Sequence, residues 1–433
     1  MNARRNYPLL LTGQFLGAYG DNFLLAAILG PLTFAQSAGQ ITAQHVSAQN
    51  ALFSAVFFLP FILLAPVAGF LNDRHPKTTC LAGGNLIKLL GTALGLSGIL
   101  LHPADAAANL PWQVVGYTIV GIGACVYSPA KYGILPEIVA RERLVKANGT
   151  VEMLTLVAIL TGLGAGAVLY DHFRSLVPCY LASLAWYGLA LLFNGLMQRT
   201  PQNLAARLRS SARDFGREFW GLVSHVRLGR ILLGCGIFWF AGAALRNNLQ
   251  AWGLVVFREV GVALEDITNA NLTLLKVGMA VGIVVGSLLA GKLHRVGDLS
   301  WARRYGLALA TAVLGLGLLG GTTGLAMVVA VLVAAGLCSG LLLVPLNAAL
   351  QAETHPGHLG KTIAIQNFVD YCAMLLGAGY LGLLTLAGCG PKGMFLALAG
   401  ALVVLSFGLR FARSNGRLEV PVAAPADVGA TGG

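Results

Sequence analysis

A chain of 433 residues, 56% of them hydrophobic and only 11% charged, stands far from the composition of soluble proteins. Its mean hydropathy of +0.74 and its apolar runs of about 20 residues, each enough to cross roughly 30 Å of hydrocarbon, exclude a soluble domain and a disordered chain. The formal net charge of +12 raises nucleic acid as a partner, a reading that the placement of the basic residues removes.

The apolar runs predict an all-α integral membrane protein with twelve spans, at about 8–35, 50–72, 79–101, 111–135, 147–170, 173–196, 231–256, 267–292, 304–323, 325–350, 361–386 and 392–412. Met1–Tyr7 is too short, and the first run too long, for a cleaved signal peptide. With both termini placed on one side, the termini and even-numbered loops, with the span ends beside them, hold 23 of the 29 Lys and Arg. Odd-numbered loops hold three: Arg174, Arg258 and Lys392. The positive-inside rule then puts both termini in the cytoplasm. The basic excess belongs to topology and anionic lipid, so no nucleic acid partner is implied.

A polar break divides the spans six and six. Residues 1–197 are expected to form one six-helix bundle and 231–413 another, and 198–230 a basic amphipathic linker with seven arginines. The Pro/Ala/Gly-rich tail 414–433 is expected to be disordered and cytoplasmic. The seven cysteines form no CxxC pair, and His355 and His358 flank Pro356-Gly357, which reads as a turn; neither set points to a metal. Glycines spaced four apart (Gly162 and Gly166; Gly282 and Gly286; Gly336 and Gly340) predict close helix contacts.

The halves read as copies. SPAKYG (Ser128–Gly133) ends span four and VPLNAAL (Val344–Leu350) ends span ten; ANGTVE (Ala147–Glu152) opens span five and IQNFVD (Ile365–Asp370) opens span eleven. In each half a Pro stands two residues before a polar residue, Lys131 or Asn347, and an Asn precedes an acid, Glu152 or Asp370. Two parallel six-helix repeats are the architecture of major-facilitator transporters, whose site lies near the midplane between the halves. Gly69–Lys77, carrying Asp73 and Arg74, resembles that superfamily's GxxxDRxGRK loop, with Pro76 in place of the second Gly. On that resemblance Asp73 and Arg74 are expected to act in conformational gating.

Six charged residues fall inside spans: Asp21, Lys88, Glu152, Arg246, Lys276 and Asp370, three of each sign. A charge at the centre of a lipid-spanning helix costs at least about 2.5–3.5 kcal/mol, so these residues need partners or a wet cavity. Asp21 and Arg246, at equivalent positions of spans one and seven, are expected to face one central cavity, or else to form a static ion pair joining the halves. Lys88 fits packing within its own half. On span seven, Trp239, Arg246 and Gln250 share a face; on span eleven, Gln366 and Asp370 do.

GDN (Gly20–Asn22), SPAKYGIL (Ser128–Leu135), KANG (Lys146–Gly149), GIVVG (Gly282–Gly286), VPLNAALQ (Val344–Gln351) and AIQN (Ala364–Asn367) together resemble the bacterial lysophospholipid transporter family, a branch of the major facilitators in Gram-negative inner membranes. The resemblance implies inward movement of lysophosphatidylethanolamine-type lipids from outer to inner leaflet, without an obligatory ion gradient. It implies as functional partner an acyltransferase/acyl-carrier-protein synthetase that reacylates them. It marks Asp21, Asn22, Lys131, Glu152, Arg246, Asn347 and Gln366 as substrate-binding, and Asp370 where a Glu is expected. Lys276 stands where an uncharged polar residue is expected.

No cofactor is implied. The chain carries no His-x₄-Asp pair, GxSxG elbow, GxxxxGK[ST] loop or HExxH helix, so no nucleophile–base pair can be nominated and the reading is not an enzyme. A proton-coupled exporter of small amphipathic compounds is the alternative, with Asp21, Glu152 or Asp370 as the protonated group.

Overall fold

The computed structural model describes residues 3–37, 39–103, 106–201, 211–259, 269–319 and 324–411. The predicted disordered tail 414–433 and the linker residues 202–210 lie outside the described residues.

The first half contains α1 (Ala3–Ser37), α2 (Ala43–Leu63), α3 (Ala65–Arg74), α4 (Lys77–Leu101), α5 (Ala106–Gly133), the single turn α6 (Leu135–Ile138), α7 (Leu144–Phe173) and α8 (Leu176–Gly195). After α9 (Ser211–Ser224) come α10 (Val226–Glu259), α11 (Asn269–Leu293), α12 (Ala302–Leu318), α13 (Leu325–Glu353), α14 (Leu359–Leu386) and α15 (Pro391–Phe407). Among the described residues, nine helices are each long and apolar enough to cross a membrane. The bent pair α2–α3 passes the same test when taken as one span, and α12 and α15, of 17 residues each, stand at two more of the predicted spans. Large apolar side chains such as Leu90, Leu101, Leu376, Leu383 and Val404 cover the outside, as lipid-facing residues do.

Hydropathy predicts one span over 50–72, whereas the chain bends by 59° between α2 and α3. Pro66 begins the second helix and has no N–H to continue the ladder. The spans predicted over 304–323 and 392–412 are likewise shorter helices, ending at Leu318 and Phe407.

The close contacts that the glycine spacing predicts are present. Gly282 and Gly286 of α11 lie against the backbone of Val333 and Leu337 on α13, and Gly336 and Gly340 return the contact. Gly162 and Gly166 of α7 seat the backbone of Tyr19 and Phe23 on α1. A Cβ at any of these positions would collide with a carbonyl oxygen, so only glycine permits the approach.

The halves meet on the face that carries the even-numbered loops. There α3 packs on α14, and α7 on α11 and α13. Asp73 Oδ1 accepts the Lys361 N–H at 3.2 Å, supplying from one half the cap that the first turn of α14 otherwise lacks. Asn148 and Gln351 exchange amide hydrogen bonds of 2.9 Å in both directions, with both residues buried. Asn367 donates to Ser128 Oγ at 3.0 Å. The repeated motifs therefore meet crosswise: the end of α5 with α14, and the start of α7 with the end of α13.

The amphipathic linker helix α9 lies on this same face, against α3, α10 and α14. Phe215 and Phe219 pack edge-on against Phe368, and Glu218 faces His358 at 3.5 Å. The hydrogen bond from His358 holds the Glu218 carboxyl below its ordinary range.

Candidate functional site

Between the halves lies a cavity of about 330 Å³, lined from α1, α2, α4, α5, α7, α10, α13 and α14. Two prolines help shape its wall. Pro129 in α5 and Pro345 in α13 each remove one rung of a helix ladder, and two residues later Lys131 and Asn347 enter the cavity. Asp21, Asn22, Lys131, Glu152, Arg246, Asn347, Gln366 and Asp370 all line this one space.

The polar groups fall into three sets. In the first, Lys88 Nζ and Asp21 Oδ2 form a buried ion pair of 2.7 Å. The Tyr187 hydroxyl donates to Asp21 Oδ1 at 2.9 Å, and Lys88 lies over the rings of Tyr127 and Tyr187. The carboxylate of Asp21 is thus satisfied inside its own half, by a lysine on α4 rather than by Arg246. Lys88 serves packing within the half, as its sequence position implies, and also borders the cavity.

The second set bridges the halves. Tyr132 donates to Glu152 Oε1 at 2.6 Å, and Asn347 Nδ2 reaches the same oxygen at 3.4 Å. Gln366 Nε2 donates to Asn347 Oδ1 at 2.7 Å. This chain fixes the amide of Asn347 with its nitrogen toward the acid and its oxygen toward Gln366.

The third set is only partly satisfied. Asp370 is only 6% exposed; its carboxyl is within hydrogen-bonding reach of Trp239 and Gln366, and its Oδ1 is left buried without a partner. Lys131 lies over the Tyr132 ring at 4.3 Å, and Arg246 reaches the cavity from α10. Among the described residues neither cation has an ion-pair partner within 4.0 Å. Lys276 stands outside the lining, on α11 in the electrostatic field of Arg246.

Apolar and aromatic residues complete the walls. Phe58 and Phe61 of α2 meet Tyr371 of α14 at ring separations of 5.1 and 4.2 Å, closing one seam between the halves. Leu25, Ile159 and Met374 line the same space. Asp73 and Arg74 lie away from the cavity, at the end of α3, where Asp73 joins the halves.

Sequence reasoning missed the tyrosines that hold the acids, Tyr132 and Tyr187, and the Asn148–Gln351 exchange. A tyrosine in an apolar span reads as core, and only its partner, 20 or 166 residues away, gives it a role.

The family model described as Major Facilitator Superfamily matches residues 10–378. Over 385 residues the chain is 37% identical to the "Lysophospholipid transporter LplT" of Salmonella heidelberg (strain SL476), covering 88% of each chain. A protein of the same name from Citrobacter koseri is 36% identical over 386 residues, again with 88% of each covered. This chain belongs to the lysophospholipid transporter family of the major facilitators.

Solved major-facilitator folds agree in shape. The human organic anion transporter MFSD10 (TETRAN) superposes with a TM-score of 0.73 at 16% identity, covering 95% of this chain and all of that one. A bacterial homologue of the iron transporter ferroportin gives 0.71 at 15%, covering 93% and 98%. At such identity these likenesses speak for the fold alone. Within this major-facilitator frame the cavity is the space where the twofold-related motifs face one another.

Proposed function

We propose that this protein moves lysophospholipids across the inner membrane, receiving the polar head in the central cavity while the single acyl chain stays in apolar surroundings. The observation that carries this reading is the third polar set: two cations without ion partners beside a buried carboxylate oxygen without a donor. A phosphate would take charge-assisted hydrogen bonds from Arg246 and Lys131. Asn22, Asn347 and Gln366 would supply neutral hydrogen bonds to the glycerol and ester oxygens. The acyl chain, attached to the membrane by roughly 0.8 kcal/mol per CH₂, has no need to leave apolar contact with Leu25, Ile159, Phe58 and Met374.

With the basic face in the cytoplasm, as the charge asymmetry supports, both termini are cytoplasmic and the halves are joined on the cytoplasmic side. Loading then occurs from the outer leaflet, and release requires Asp73–Lys361 and Asn148–Gln351 to part as the halves rock. The product delivered to the inner leaflet would be reacylated by an acyltransferase/acyl-carrier-protein synthetase. Nothing in this scheme calls for a cofactor or for enzymatic chemistry by this chain.

Leaflet-resolved flux of labelled lysophosphatidylethanolamine in proteoliposomes tests the reading. Arg246→Ala and Lys131→Ala are each expected to slow flux tenfold or more, with diacyl lipid unmoved by the wild type. Near-wild-type flux in both variants would remove these residues from the role. The second reading, a proton-coupled exporter, draws on the lone oxygen of Asp370; strict dependence of flux on an imposed pH gradient would favour it.

A further inference from the structure

We propose that the outward face of α9 is a docking surface for the anionic phospholipid head groups of the leaflet on the basic face of the molecule, whatever the cargo of the cavity.

Helix α9 has two faces of different kinds. Phe215, Phe219 and Leu222 turn inward, toward α3 of one half and α10 and α14 of the other. Arg213, Arg217 and Trp220 follow one another at spacings of four and three, so they form a single stripe on the opposite side. Trp220 is 68% exposed, the Arg217 side chain 77%, and Arg213 is exposed as well. Arg217 meets Asp214 only at 3.9 Å, and an exposed pair of that length commits little of its charge. The stripe therefore presents two cations and one large ring with an N–H, and no acid.

An exposed tryptophan leaves a large apolar ring in water, yet its N–H suits it to a boundary that is apolar on one side and wet on the other. Position puts α9 at such a boundary. Only His225 stands between Ser224, the end of α9, and Val226, the start of the span helix α10. Val223 and Val226 are both exposed, so apolar surface continues from the linker helix onto the span. At the start of α12, on the same side, the Arg304 guanidinium lies 4.3 Å from the ring of exposed Trp301, a second arginine–tryptophan pair at a span end. Head groups surround the end of a span at all times, so the leaflet is the occupant this face meets first. Negative charge among those head groups is what the arginines select: two of them favour an anionic surface over a neutral one by about thirtyfold. Because the inward face of α9 touches both halves, lipid held on the stripe keeps the helix in place across the joined face.

The test uses the purified full-length protein in lipid nanodiscs, which leave both faces open to solute, made of phosphatidylcholine alone or with about one third phosphatidylglycerol. Acrylamide serves as a water-soluble quencher, and the Trp220 contribution is the difference between wild type and Trp220→Phe. Phosphatidylglycerol is expected to reduce quenching of that contribution about twofold or more, and about 1 M salt, where the screening length falls to about 3 Å, to restore it. Arg213→Gln combined with Arg217→Gln should lose the protection. Arg141→Gln combined with Arg143→Gln removes equal charge from the turn before α7, on the same side, and should keep it. All of these residues are exposed, so each variant is expected to fold. Equal quenching with and without phosphatidylglycerol, protection that survives the salt, or its loss in both double variants overturns the proposal. Shielding of Trp220 that requires added soluble cell extract assigns the face to a protein and overturns it too.

Discussion

The Asp21–Lys88 pair shows how a charge survives inside a membrane span. Both side chains are nearly buried, and Tyr187 satisfies the second carboxylate oxygen. Removing one partner leaves the other charge buried and uncompensated, which typically costs about 3–5 kcal/mol. Asp21→Asn is therefore expected to lower thermal stability in detergent more than Asn22→Ala does, and replacing Asp21 and Lys88 together by apolar residues should recover most of the loss. Because Asp21 is saturated, loss of flux in Asp21→Asn would report on folding first, and unfolding curves recorded beside flux separate the two. Both in-span charges were legible in the sequence, but their pairing was not, since 67 residues separate them.

At the scale of the helices, interfaces within each half depend on glycine, and those between halves on glycine with a few amides. The Asn148–Gln351 exchange is the most directional of the latter, two buried hydrogen bonds joining α7 to α13. Asn148→Ala strands the Gln351 amide while the face stays shut, at a cost of about 1–3 kcal/mol that hydration of the opened face relieves. The variant should thus shift the population toward that open state, seen as faster labelling of a cysteine replacing Val145, which is buried where the halves meet. Helix α9 adds a second tie. Glu218 titrates below the ordinary glutamate value of about 4.3 because of its contact with His358. A lowered carboxyl stabilises the docked helix above the unfolded value, and the contribution disappears as pH falls through the lowered one. Emission from Trp220, which is exposed on α9, in a variant lacking the other tryptophans should change in that acid range, and again as pH rises through the His358 value, which the Glu218 contact holds above its ordinary one. Glu218→Gln should abolish both transitions.

For the whole molecule, alternating access requires the face now joined by α3–α14 and α7–α11 to separate. Gly149 lies against the carbonyl oxygen of Ser287, and a Cβ at Gly291 would stand 2.8 Å from Lys146 Cα. A larger side chain at either position has no room while the halves are together. Gly149→Leu is expected to drive the protein open on this face, widening the distance between spin labels on α7 and α11 and slowing flux several-fold. Unchanged distances would show that this contact does not govern closure.

The sequence alone determined the spans, the side on which basic residues gather, the twofold repeat and the set of polar residues that meet in the cavity. Apolar run length, charge asymmetry and proline spacing act locally or through the membrane, so they can be read one segment at a time. The tertiary structure decided which charge is satisfied and which is not. Glu152 finds Tyr132 on the preceding span but Asn347 in the other half, Asp21 finds Lys88 and Tyr187, and Asp370 keeps a bare oxygen. The bend between α2 and α3 escaped hydropathy because both sides of Pro66 are apolar. Hydrogen-bond partners depend on how helices far apart in sequence rotate and approach, and hydropathy carries no record of that rotation.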